Sequence, residues 1–88
     1  MSLNAYVTAT ITVEIGGGDR DYLSADFDLW QTPTRVTERI LDSDDPITEY
    51  EKWVETLKNP EGKEHVQELK RWLSRRKEEG WEVEWYTV

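Results

Sequence analysis

The 88-residue sequence contains no cysteine, and only one histidine and one methionine. Without cysteine there is no disulfide framework, no thiolate nucleophile and no Cys-ligated zinc or iron–sulfur centre. Nothing in the composition ties the chain to an oxidising compartment. Long apolar runs are missing as well, none approaching the roughly 18 residues that a membrane span needs. The opening residues Met1-Ser2-Leu3-Asn4 lack a basic n-region, and Tyr6, Thr8, Thr10 and Thr12 interrupt any apolar segment, so no secretory leader is expected. A cytoplasmic protein is the expectation. Positive charge is scarce, with 11 Lys and Arg against 19 Asp and Glu and a net charge of −8. That balance argues against nucleic acid or an anionic membrane as the direct ligand. At this length one domain over residues 1–88 is expected, with a core so small that most large apolar residues must serve it.

What is present is patterned. Ala5, Val7, Ala9, Ile11, Val13 and Ile15 alternate with Tyr6, Thr8, Thr10, Thr12 and Glu14. Period two with β-branched residues marks a strand covered on one face. After Gly16-Gly17-Gly18, Leu23, Ala25, Phe27 and Leu29 alternate with Tyr22, Ser24, Asp26, Asp28 and Trp30, so residues 5–30 read as a β-hairpin. The pairs Thr32-Pro33, Asp45-Pro46 and Asn59-Pro60 each place an N-cap residue type before proline, which suits the first helical position. They predict helices over about 33–42, 46–58 and 61–79. Their apolar residues are Val36, Ile40 and Leu41 in the first, and Ile47, Tyr50, Trp53, Val54 and Leu57 in the second. The third carries Val66, Leu69, Trp72 and Leu73 and stops at Gly80. Residues 81–87 alternate again and predict a last strand. The expected fold is α+β in the order ββαααβ, a three-stranded antiparallel sheet of order 3-1-2 with helices packed on one face.

On the open face of such a sheet, Asp26, Asp28, Glu82, Glu84 and Glu14 line up around a threonine ladder, together with Tyr6, Tyr22, Trp30 and Tyr86. Like charges on neighbouring strands repel, which is a cost that folding alone does not reward. These residues are the candidate partner-binding surface, acidic and aromatic. The expected function is a non-enzymatic interaction module that docks on a basic surface of a partner protein, in its stronger form as a nucleic-acid mimic or inhibitor. The alternative is a structural or assembly subunit, such as a homodimer formed through the aromatic residues of that face. No catalytic residue, cofactor or metal is expected. Asp42-Ser43-Asp44-Asp45 lacks the glycine and spacing of a calcium loop, Gly16-Gly17-Gly18 lacks the Lys-Ser/Thr and helix of a phosphate loop, and His65 has no second histidine. The basic run from Lys70 to Lys77 reads as a solvated helix face that complements the helix dipole. Within it Arg76 falls inside the apolar stripe and is expected to snorkel or to pair with a carboxylate.

Overall fold

A computed structural model describes residues 2–3 and 5–87. The elements run β1 (Ser2–Leu3), β2 (Ala5–Gly16), β3 (Asp19–Asp28), β4 (Thr32–Pro33), α1 (Thr34–Asp42), α2 (Pro46–Thr56), α3 (Pro60–Glu78) and β5 (Glu82–Thr87). The architecture is α+β, with three helices and a three-stranded antiparallel sheet in which β2 is central, flanked by β3 and β5. Two short strands, β1 and β4, form a separate antiparallel ladder. Among the described residues five strands in two ladders replace the three strands of the expected ββαααβ order, so the order β3-β2-β5 describes only the larger sheet.

The hairpin closes as its glycines require. Gly16 pairs with Asp19, and Gly17 and Gly18 take φ of 60° and 83°, the two positive values of a tight hairpin turn. Of the three proline pairs, Asn59-Pro60 starts a helix as expected: Asn59 Oδ1 accepts the Glu61 N–H at 3.0 Å. Asp45-Pro46 also starts one, but Asp45 Oδ2 accepts from the Thr48 hydroxyl at 2.5 Å instead of from the backbone. Thr32-Pro33 does not cap. Both residues belong to β4, and Thr32 is fully buried, where its hydroxyl bonds that of Thr37. Thr37 also reaches back to the Pro33 carbonyl at 3.1 Å. Pairing with Leu3 and this buried hydroxyl pair hold Thr32 extended, so α1 begins at Thr34.

At the far end of α3, Gly80 takes φ 87°. Its N–H donates to Lys77 O at 3.1 Å while the Trp81 N–H donates to Arg76 O at 2.9 Å, the two bonds of a Schellman stop. The turn reverses the chain and lays β5 against β2. Arg76 meets a carboxylate, Glu79, at 3.6 Å, and its guanidinium also sits 4.8 Å from the Trp81 ring centre and 5.5 Å from that of Trp72. Two rings on one cation tie α3 to the start of β5.

The core gathers Ala5, Val7, Leu29, Ile40, Tyr50, Val54, Val66, Leu69 and Leu73. It stops well short of the hairpin tip. Ala5, Val7 and Ala9 on the inner face of β2 are buried, Ile11 and Val13 are half-buried, and Ile15 is 65% exposed, as Leu23 opposite is 51% exposed. Strand β5 pairs only with Ala5–Thr10, so residues 11–23 project as a two-stranded arm. The helices reach only part of the way along the sheet. Twelve strand residues span about 40 Å, but α2 with 11 residues spans only about 16 Å and α3 with 19 about 28 Å. The result is an elongated body of 52 × 24 × 20 Å. Among the described residues no helix is long and apolar enough to cross a membrane.

Candidate functional site

Register builds the outer face of the sheet. The pairing of β2 with both neighbours sets Asp28, Tyr6 and Tyr86 in one row, Asp26, Thr8 and Glu84 in the next, and Ser24, Thr10 and Glu82 in a third. Beyond the end of β5 the rows continue with two residues each, Tyr22 with Thr12 and Arg20 with Glu14. Eight of the nine candidate residues therefore share one face: Asp26, Asp28, Glu82, Glu84, Glu14, Tyr6, Tyr22 and Tyr86. All five carboxylates are exposed. Thr8 donates to Asp26 Oδ1 at 2.7 Å, and the Tyr86 hydroxyl donates to Glu84. That hydrogen bond, more than burial or the neighbouring charge, raises the Tyr86 phenol above its ordinary pKa. Tyr6 and Tyr86 stack with ring centres 5.6 Å apart.

Counter-charge is nearly missing from this face. Of the 11 Lys and Arg, only Arg20 lies in a strand. The ion pairs among the described residues, Lys52–Glu49, Lys70–Glu51 and Arg76–Glu79, all belong to the helical side. Adjacent strands lie about 4.8 Å apart, so Asp26 and Glu84 flank Thr8 roughly 10 Å from each other. Carboxylates this close, in water and without cations, generate a negative potential that an approaching cation meets before contact.

Trp30 leaves the expected group. Strand β3 ends at Asp28, and the Leu29 N–H closes on Ala5 O at 3.0 Å. Past that point the alternation no longer dictates direction. Trp30 turns to the helical side, where its ring stacks on His65 with centres 5.4 Å apart and its backbone N–H donates to the Tyr50 hydroxyl at 2.9 Å. It is a packing residue, half-buried among helices.

His65 is the residue the sequence undersold. Phe27, Trp30 and Tyr50 place their rings 5.3, 5.4 and 5.9 Å from it, and its Nε2 is buried with no hydrogen-bond partner. Desolvation lowers its pKa, opposed in part by Glu68. The unfolded chain then binds a proton more readily than the folded one, so stability is full above the ordinary 6.5 and declines as pH falls below it. Thermal melts should therefore fall between pH 7.5 and 5.5 in the wild type and stay flatter in His65→Gln. Parallel curves for the two proteins would refute this account.

Among the described residues no group of three His, Asp or Glu side chains converges where a metal could sit. Asp45 is engaged with Thr48, and the Ser43 hydroxyl accepts the Asp45 N–H at 3.0 Å, which makes that acidic loop a helix entry. The fold and the site together define the class: a small α+β protein with an acidic, tyrosine-bearing outer sheet face. Comparison with protein-family models, with curated proteins and with solved structures finds no match.

Proposed function

We propose that this chain is a non-enzymatic cytoplasmic interaction module whose outer sheet face docks on a basic surface of a partner protein. The observation that supports it is the in-register set Asp26, Asp28, Glu82, Glu84 and Glu14, exposed and, apart from Arg20 at one corner, without a cation. The three tyrosines supply flat contact area at low entropic cost, as aromatic residues do at interfaces. In its stronger form the rows of carboxylates occupy a groove built for phosphates, and the protein inhibits a nucleic-acid-binding partner by mimicry.

The test is affinity capture with wild type and with the double variant Asp26→Lys/Asp28→Lys, followed by elution near 0.5 M salt, where the Debye length is about 4 Å. The expected result is a basic partner that the wild type retains and salt releases. The double variant should bind it at least 100-fold more weakly at an unchanged melting temperature, because both positions are exposed. Equal retention by the two proteins would overturn the proposal. The second reading, assembly of like subunits through the aromatic residues of the outer face, draws on the exposure of Tyr22 and Tyr86. It is recognised by sedimentation as an oligomer that persists in high salt.

A further inference from the structure

Strand β5 leaves the edge of β2 half covered. The last pair of their ladder is Thr10 with Glu82, and the chain just before Glu82 turns away into α3. Parity then settles which backbone groups are left over. The Ala5 carbonyl accepts from Leu29, so the odd-numbered residues of β2 bond toward β3 and the even-numbered ones toward β5. Tyr6, Thr8 and Thr10 meet β5. Among the described residues Thr12 and Glu14 meet no backbone partner on that side, where Gly80, the residue level with Thr12, turns its N–H back to Lys77. A notch of about 310 Å³ lies there, lined by Thr10, Ile11, Thr12, Tyr22, Gly80 and Glu82.

From this we infer that the free edge of β2 at Thr12 and Glu14 takes up an extended segment of a partner protein as an added strand, one that alternates basic and apolar residues. A strand in that position runs in line with β5 and exchanges backbone hydrogen bonds with Thr12 and Glu14. Side chains directly opposite Thr12 and Glu14 share the outer face with Glu14 and Glu82, which calls for Lys or Arg. Side chains opposite Val13 and Ile15 share the inner face, where Val13 is half-buried and Ile15 exposed, and this calls for Val, Ile or Leu. The charge of the occupant rests on the docking role proposed for the outer face; the vacancy of the edge does not.

A second copy of the chain fits the same edge poorly. Two-fold antiparallel pairing centred on Val13 sets Gly16 of one copy opposite Thr10 of the other, a place that Glu82 already fills. Shifting the centre to Glu14 sets the two Glu14 side chains directly opposite each other, a destabilising like-charge pair. The outer edge of β3 is a worse site for an apolar strand, since Asp21 lies on the apolar side opposite Val13, an inward-pointing charge that blunts an edge.

The test uses the full chain and a capped seven-residue peptide of alternating Lys and Val, beside the same peptide with its ladder-facing amides N-methylated. Charge and side chains are then identical, and only the hydrogen bonds to a strand differ. Amide exchange at Thr12 and Glu14 should slow at least tenfold with the first peptide, and the N-methylated one should bind at least tenfold more weakly. Thr12→Pro, which removes a donor from an edge where proline is tolerated, should abolish the difference between the peptides. Equal binding of both peptides, with changes centred on Asp26, Asp28 and Glu84, would overturn the added strand and leave the docking face standing. Binding that stays sensitive to N-methylation in Asp26→Lys/Asp28→Lys, alongside unchanged partner capture by that variant, would do the reverse. Binding of neither peptide, or protection of Thr12 and Glu14 that rises with protein concentration alone, would also overturn the added strand.

Discussion

Replacing Tyr50 with Phe should cost about 1–3 kcal/mol, the expense of leaving a partly buried N–H without an acceptor. Tyr50 is fully buried, and its hydroxyl is the acceptor for the Trp30 N–H at 2.9 Å, the bond that carries the chain out of the hairpin and onto the helices. For a protein of this size the loss corresponds to a fall in Tm of several to more than 10 °C. The same hydroxyl predicts an alkaline limit. Burial pushes the Tyr50 phenol from 10.0 up to about 12, against the pull of the Trp30 N–H. The folded state then holds the proton more tightly than the unfolded one. This contribution is complete below pH 10 and is lost as pH rises from 10 to 12, on the order of 2–3 kcal/mol. Urea melts at pH 8, 10 and 11.5 check both points: Tyr50→Phe should be weaker than wild type at pH 8 and lose less between pH 10 and 11.5. A variant as stable as wild type at pH 8 would contradict the role given to the hydroxyl.

Gly62→Ala should also destabilise, although helix propensity favours Ala over Gly by about 1 kcal/mol. Gly62 is buried in the first turn of α3, and a Cβ there would lie 2.7 Å from Val54 Cγ1 and 3.3 Å from Trp30 Cζ3. Val54 is itself buried and has little room to yield. Overpacking of this kind costs about 1–3 kcal/mol, which set against the propensity gain leaves a net loss of up to about 2 kcal/mol. Pairing the change with Val54→Ala deletes the offending methyl group. Denaturant titration of the four proteins should then give a double variant less destabilised than the two single changes summed, by more than 0.5 kcal/mol. A Gly62→Ala protein more stable than wild type would show that the α2–α3 approach is looser than the distances state.

These two residues also mark where reading the sequence succeeds and where it stops. Alternation alone identified β2, β3 and β5 and the faces of Asp26, Asp28, Glu82 and Glu84, because period two is a property of the extended backbone and needs no tertiary information. The helix starts at Asp45-Pro46 and Asn59-Pro60 were legible for the same local reason. Thr32-Pro33 has the same composition and failed, because pairing with Leu3 and the hydroxyl of Thr37 outweighed the local preference for a cap. The alternation of β3 extended two residues past its end puts Trp30 on the outer face, but the strand stops at Asp28 and the ring stacks on His65. Gly62 carried a usable signal, since a glycine inside a helix pattern marks a close approach, but which side chains approach is a tertiary fact. The uncovered arm was legible in principle from the lengths of the predicted elements. An apolar stripe on a strand does not by itself require a covering layer along its whole length, as Ile15 and Leu23 show.

The uneven placement of tryptophan has a spectroscopic consequence. Trp30, Trp53, Trp72, Trp81 and Trp85 all sit half-buried in the helical end of the molecule, while the aromatic residue of the arm is Tyr22, 73% exposed. Intrinsic tryptophan emission therefore reports the packed base and is nearly blind to the overhanging hairpin. Opening of that hairpin involves few buried contacts and belongs to the low-energy end of local unfolding, so it leaves the emission in place. The protein thus has two separately observable parts: a base that melts as a unit in tryptophan fluorescence, and an arm whose order or fraying is visible only through tyrosine and the amides of residues 11–23.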